Sequence, residues 1–337
     1  SVVIIPKEMF YELINHSNIN VACQGLYALS RFAYQEVESE IKKHLYGEQP
    51  QLQCWALKLL VDNGKIINII RENRFPNPFF IPTAHTLLEA VRRFHLVEAM
   101  PLLHIIQDEL SKDEMYLFES TLAYDLAGTF NYMGDIVRQR AVIALYFDGT
   151  SFLHNNERYQ QNNLMKKLKY FDQDSAFQIA KAFYNLHLPS FEDFSSESEI
   201  FIETAEDLGG EWMRKKMKEL TEHYLNLIKN GNKFAMHSIE RPLRAMTKIG
   251  RPDDEDWLLE KLPYLEFDAG AEYTQLRRAI ECLAFIGSKK VLPFLLEMSE
   301  KYQQVDSVMN ILQFSYNNIC SREKIPIEDS QGFPAKN

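Results

Sequence analysis

The chain has 337 residues, of which 46% are apolar and 25% charged, and its 47 acidic and 37 basic residues give a formal net charge of −10. With only 13 glycines and 13 prolines, its composition is not that of a turn-rich β protein or a disordered chain. The acidic balance disfavours a dedicated DNA-binding surface, and no apolar run approaches the roughly 18–20 residues that a helical membrane span needs.

A thirteen-residue pattern recurs near the N-terminus at a spacing of 31 residues. VACQGLYALSRFA (21–33) aligns with LQCWALKLLVDNG (52–64) and with TAHTLLEAVRRFH (83–95). Counted from zero, positions four, seven and eight of each copy are small or apolar and share one face of a helix. A helical pattern with a period of roughly 30–40 residues predicts stacked pairs of helices.

Further copies follow along the chain. VRQRAVIALYFDG (137–149) places Ala141, Ala144 and Leu145 at the same three positions, and we expect them to be buried. Farther on, LRAMTKIGRPDDEDWLLEKL (243–262) aligns with the stretch 37 residues later. The Trp257 of this copy takes the place of a Phe, so we interpret it as a core residue.

The last position of the pattern, position twelve, predicts how these helices end. Several copies have a glycine there, which predicts a left-handed helix cap, whereas one copy has His95; the glycines are Gly64, Gly149, Gly250 and Gly287. Pro101 and Pro293 lie six residues after this position. Because the first-turn amides of a helix have no intrahelical acceptor, each proline predicts the start of the next helix.

Two stretches interrupt the repeats. Residues 147–163 are polar and are expected to form a long loop, and residues 188–212 hold eight acidic residues and no Lys or Arg. The second stretch is interpreted as an irregular insertion, which is either a solvated loop or a segment that recruits a basic partner. We therefore expect one helical array over 1–321 and a polar tail over 322–337.

Three segments resemble the HEAT-repeat family. Val137-Arg138 with Ala141, Ala144 and Leu145 is similar to the family's second helix, and GSKKVLPFL (287–295) and HLVEAMPLL (95–103) are similar to its turn and following first helix. The resemblance covers about two-thirds of the chain and implies an all-α superhelix, a HEAT-like solenoid of about eight helix pairs. The Asp–Arg ladder that usually joins HEAT repeats is mostly absent here.

No motif for catalysis, a cofactor or a metal stands out. The sequence has no P-loop, dinucleotide-binding, nucleophile-elbow or zinc-protease pattern. Its cysteines, which form no CxxC pair, are Cys23, Cys54, Cys282 and Cys320. They lie among apolar helical residues, so we expect reduced, largely buried thiols in the cytoplasm.

One helix face carries mostly basic residues. Positions three, six and ten point away from the packed face, and only three acids occupy them. The basic residues on this face are Arg31, Lys58, Arg93, Arg140, Arg241, Arg244, Lys248 and Arg278. They either pair with acids of adjacent repeats or line a groove for an acidic or phosphorylated peptide, or for nucleic acid.

These patterns together favour a binding protein. We expect a non-enzymatic scaffold, without cofactor or metal, that presents a concave helical face to a protein or peptide, preferably an acidic one. The alternatives are a nucleic-acid-binding or DNA-repair protein and a phycobilin-lyase-type enzyme, both of which occur among HEAT-like proteins. Because the numbered chain begins at Ser1 without a signal-peptide pattern, we also expect it to be one module of a larger protein.

Overall fold

A computed structural model describes most of the chain as helices. The described ranges are 6–32, 34–72, 74–76, 81–110, 112, 120–146, 158–187, 196–232, 234–266 and 273–326. Within these ranges the regular structure consists of α-helices and short 3-10 segments, without a strand, which confirms the all-α class. In the same ranges, no helix combines the length and apolar character required to cross a membrane.

The contacts divide the chain into two compact units, residues 1–175 (unit 1) and 176–337 (unit 2). The single array expected over 1–321 stays a prediction. The helices up to the division are α1 (Lys7–Ile14), α2 (Ile19–Ala28), α3 (Tyr34–Leu45), α4 (Pro50–Asp62), α5 (Ile66–Arg71), α6 (Ile81–Phe94), α7 (Met100–Leu110), α8 (Ser120–Tyr132), α9 (Ile136–Tyr146), α10 (Arg158–Lys167) and α11 (Gln173–His187), in which the division falls.

The helices of unit 2 follow. They are α12 (Ser196–Leu208), α13 (Gly210–Lys229), α14 (Ala235–Ser238), α15 (Glu240–Ile249), α16 (Glu255–Lys261), α17 (Thr274–Ile286), α18 (Leu292–Lys301) and α19 (Asp306–Glu323). In this unit α12 packs on α15, α15 on α17 and α17 on α19. We call these four helices row two.

Unit 1 contains a corresponding succession, in which α2 packs on α4, α4 on α6 and α6 on α8. We call these four helices row one. Helix α1 covers α2. The two helices approach closely at Gly25, where an added Cβ would lie 2.8 Å from the Cβ of Leu13. The packed faces of the row are fully buried at Leu26, Leu60 and Leu88.

The predicted burial holds for the first three copies of the pattern and is wrong for the fourth. Positions four, seven and eight are buried in 21–33, 52–64 and 83–95, except for Ala28, which is partly exposed. In 137–149 the same positions, Ala141, Ala144 and Leu145, are exposed. Helix α9 instead packs across α8 and buries Gln139 and Val142.

The reason for this error is that α8, and not α9, continues row one. The stretch LAYDLAGTFNYMG (122–134) fits the thirteen-residue pattern, with Leu126, Thr129 and Phe130 buried and Gly134 at position twelve. Since α9 carries apolar residues on all sides, its sequence alone does not indicate which side packs.

The caps at position twelve of the pattern differ between the two units. In unit 1, Gly64 (φ +67°) is left-handed, as predicted. His95 (φ +52°), which replaces the glycine in its copy, and Gly134 (φ +82°) are left-handed as well. In unit 2 the prediction is wrong, because Gly250 (φ −62°) and Gly287 (φ −68°) are extended. Glycine is needed there for space: a Cβ would lie 2.5 Å from the carbonyl oxygen of Met246 at the first position and 2.6 Å from that of Leu283 at the second.

Several boundaries change in the structure, and others are confirmed. Gly149 lies outside the described residues, whereas Pro101 and Pro293 are in the first turns of α7 and α18, as predicted. Helix α10 begins inside 147–163, and α12 and the start of α13 lie inside 188–212, so these parts are not irregular. The rest of both stretches, 147–157 and 188–195, lies outside the described residues, as does 327–337 of the tail.

The cysteines lie in helices, and three of them are buried. Cys23, Cys282 and Cys320 are buried, whereas Cys54 is partly exposed, and all four carry free thiols. Burial raises the pKa of Cys282 far above its ordinary value. This thiol is therefore protonated and a poor nucleophile at neutral pH.

Candidate functional site

Most of the predicted basic face is occupied by ion pairs. Of its eight residues, six contact a carboxylate: Arg93, Arg140, Arg241, Arg244, Lys248 and Arg278. These contacts fit the alternative in which the bases pair with acids of adjacent helices. A binding role for these six residues stays a prediction, but unpaired positive charge no longer supports it.

The pairs in row two join consecutive helices. Glu206 of α12 is 7% exposed and accepts a 3.0 Å hydrogen bond from Nε of Arg244 on α15, together with a contact from Lys248. One helix farther along, Nε of Arg278 on α17 donates to Glu240 of α15 at 2.9 Å. Each base therefore faces an acid roughly one repeat earlier in the sequence, and the charges offset one another.

In unit 1 the bases do not form one continuous face. Arg93 contacts Asp62 at 3.2 Å within row one, but Arg140 belongs to α9, which is outside that row. Arg140 donates to Asp172 at 2.7 Å. Burial alone would raise the pKa of Asp172, but hydrogen bonds from Arg140 and Ser175 outweigh it and lower that pKa.

Arg31 and Lys58 differ from the other six, because no carboxylate of the described residues lies within ion-pair distance of either. Lys58 instead places its ammonium 5.6 Å from the ring centre of Trp55. The Trp55 ring contacts that of Tyr27 on α2, edge to face, with centroids 5.3 Å apart. Arg31 is exposed one turn beyond Tyr27. We call Tyr27, Arg31, Trp55 and Lys58 the aromatic–cationic patch.

The patch offers exposed aromatic surface together with two positive charges. Tyr27 is 44% exposed, and Trp55 is partly exposed. Trp257, predicted to be in the core, is also partly exposed, and its indole N–H donates to Glu222 at 3.0 Å. Rings and cations of this kind bind by stacking, cation–π contact and charge attraction.

A second group of charges in unit 1 was not anticipated from the sequence. Asp125 of α8 is 11% exposed and is surrounded by Lys167 of α10 at 2.9 Å, His85 of α6 at 3.3 Å and Arg92 of α6 at 3.5 Å. We call these four residues the Asp125 cluster. Placing α8 in the repeat pattern would have put Asp125 at position three, the position of Trp55 in α4.

The electrostatics of this cluster are dominated by its cations. Burial alone would raise the pKa of Asp125, but hydrogen bonds from His85 and Lys167 and the charges of Lys167 and Arg92 outweigh it. The pKa of Asp125 therefore lies far below its ordinary value, and the carboxylate stays ionised throughout the physiological pH range.

Three of the surface cavities within the described residues are lined by charges of both signs. A cavity of about 330 Å³ lies beside Gly209, Gly210 and Lys248, one of about 190 Å³ beside Lys229 and Tyr264, and one of about 140 Å³ between Tyr34 and Tyr46. Within the described ranges, His, Cys, Asp and Glu form no group of three that could hold a metal ion.

Comparisons with protein-family models, with curated proteins and with solved structures find no match to this chain.

Proposed function

We propose that this chain is a cytoplasmic, non-enzymatic scaffold in which each unit is a HEAT-like stack of helix pairs, and that the aromatic–cationic patch binds an acidic segment of a partner protein. The side-by-side packing of the row helices supports the architecture. The observation that carries the binding site is the edge-to-face pair of the exposed Tyr27 and the partly exposed Trp55, with Lys58 against the Trp55 ring and Arg31 one helical turn after Tyr27. Neither cation has a carboxylate partner among the described residues.

The chemistry of the patch favours a peptide that combines acidic and apolar side chains. Apolar side chains that cover Tyr27 and Trp55 would gain about 25 cal/mol for each Å² of apolar surface removed from water. Carboxylates of the peptide would meet the positive charges of Arg31 and Lys58 on a protein that is acidic elsewhere. Charge attraction would therefore favour one position and orientation of the bound peptide. Aromatic residues and arginine are also the types that dominate binding energy in protein interfaces.

Nucleic-acid binding remains the alternative, because bases also stack on exposed aromatic rings. A strand bound through its backbone, however, needs a series of phosphate contacts, and the patch supplies two cations. The chain also has a net charge of −10, which opposes a polyanion. We therefore favour a protein partner over nucleic acid.

The test compares two fluorescent dodecapeptides in anisotropy titrations with the full chain. The first alternates Glu with Phe and Leu, and the second has Lys in place of every Glu. We expect the acidic peptide to bind and the basic peptide to fail. The Arg31→Glu/Lys58→Glu variant should weaken binding of the acidic peptide by about tenfold or more.

The matched control is Lys43→Glu/Lys112→Glu. Their side chains are 62% and 66% exposed, and the double change alters net charge by the same amount. Equal weakening in both double variants would show general charge attraction and would remove the patch from the proposal. If single-stranded DNA binds more tightly than the acidic peptide, with a steep loss in salt, the nucleic-acid alternative replaces it.

A further inference from the structure

We propose that the Asp125 cluster binds a phosphate group, held by Arg92 and Lys167 with His85 at its edge. The starting observation is that one buried carboxylate gathers three basic side chains from two different helices. Both Arg92 Nη1 and Lys167 Nζ contact the same oxygen, Oδ1 of Asp125, which brings a guanidinium and an ammonium to one point of the surface.

The charges in the cluster do not cancel. Even with His85 neutral, Arg92 and Lys167 contribute two positive charges against the single negative charge of Asp125. Among the described residues, no second carboxylate lies within ion-pair distance of either cation. The excess positive charge is thus available to an anion that approaches from solvent.

Hydrogen-bond donors also remain available. Arg92 lies 3.5 Å from Oδ1, beyond the range of a normal N–H···O bond, and its guanidinium has five N–H donors. Lys167 donates to Asp125 at 2.9 Å, and an ammonium has three hydrogens in all. The side chains of Arg92, His85 and Lys167 are each about 30% exposed, so solvent reaches them.

Asp125 acts in this arrangement as the positioning group. Two cations at one point repel each other, and an ionised carboxylate between them reduces that cost and orients both side chains. Because Asp125 stays ionised far below neutral pH, this positioning does not depend on the solution pH in the physiological range.

Phosphate suits the site better than a carboxylate does. A phosphate group carries about −1.5 to −2 charges at pH 7 and has three strong acceptor oxygens, which a guanidinium fork and an ammonium satisfy together. The group could come from free inorganic phosphate or from a phosphate ester such as a phosphorylated side chain. The inference does not rest on the proposed function, because no residue of the aromatic–cationic patch takes part in it.

The experiment measures binding of sodium phosphate, phosphoserine and serine to the full chain by isothermal titration calorimetry in chloride buffer at pH 7.5. We expect phosphate or phosphoserine to bind and serine to fail. Lys167→Gln and Arg92→Gln should each weaken binding by about tenfold or more. Lys166→Gln is the matched control, because this neighbouring lysine is exposed and lies outside the cluster.

The outcomes are distinct. Tighter binding of phosphoserine than of inorganic phosphate assigns the site to an ester, and the reverse order assigns it to the free anion. Absence of binding at roughly 10 mM of both probes, or an equal loss in Lys166→Gln, would overturn the inference. Two separate variants keep the test valid if one fails to fold, which a thermal melt reveals. Arg31→Glu/Lys58→Glu should leave phosphate binding unchanged, so this inference and the proposed function can fail independently.

Discussion

Row two and the start of row one use the same kinds of residue for different purposes. In row two, each predicted base meets a carboxylate of the preceding row helix, as Arg244 meets Glu206 and Arg278 meets Glu240. At the start of row one, Lys58 lies against Trp55 instead. Whether a basic residue at a given repeat position forms an ion pair or belongs to an exposed patch therefore depends on whether the neighbouring helix supplies a carboxylate.

The turns of the two units show the same dependence on context. Gly64 in unit 1 is left-handed, and no atom would lie within 4 Å of an added Cβ. Gly287 in unit 2 is extended, and an added Cβ would meet the Leu283 carbonyl oxygen at 2.6 Å and Val291 at 3.1 Å. One glycine is required by backbone conformation and the other by space.

The largest effect is expected from placing a charge on the packed face of row one. Ala127 of α8 is fully buried, so Ala127→Arg must bury a guanidinium or separate the helices, at a cost of about 4 kcal/mol or more. Ala141 of α9 is exposed, and Ala141→Arg should change the unfolding free energy by about 0.5 kcal/mol or less. Urea denaturation followed by circular dichroism measures both; similar losses would mean that α9, after all, packs in the register predicted from sequence.

A smaller effect is expected at the turns. Gly287→Ala should cost about 3 kcal/mol, because backbone and packed side chains must move to admit the methyl group. Gly64→Ala should cost about 1 kcal/mol, the ordinary penalty of a left-handed alanine. The same denaturation measurement compares them, and an equal cost at both positions would contradict the distinction between the two kinds of turn.

The smallest effect concerns the ion pairs. Glu206→Gln keeps the shape of a side chain that is 7% exposed but leaves Arg244 and Lys248 without their counter-charge, at a cost of about 1–2 kcal/mol. Asp62→Asn removes a pair whose members are about half exposed and should cost about 0.5 kcal/mol or less. Melting temperatures at low and high salt check this difference, which should shrink as salt rises; a larger loss for Asp62→Asn would reverse the comparison.

The candidate site was predictable only in part. The repeat pattern identified Arg31 and Lys58 as exposed bases, but it grouped them with six residues that the structure places in ion pairs. The partners of those six lie on other helices, and Glu206 is 38 residues before Arg244. The Asp125 cluster was missed because α8 was not recognised as a copy of the pattern and because the acid and bases that meet there come from three helices.

By itself, the sequence determined the helical class, the packed faces of α2, α4 and α6, and the helix starts at Pro101 and Pro293. All of these follow from local causes: the 3.6-residue period, and the missing amide hydrogen of proline. The tertiary structure was needed to show which helix continues row one and which cations are neutralised. Both outcomes depend on residues far away in the sequence, because an apolar face and an ion pair are properties of two elements in contact.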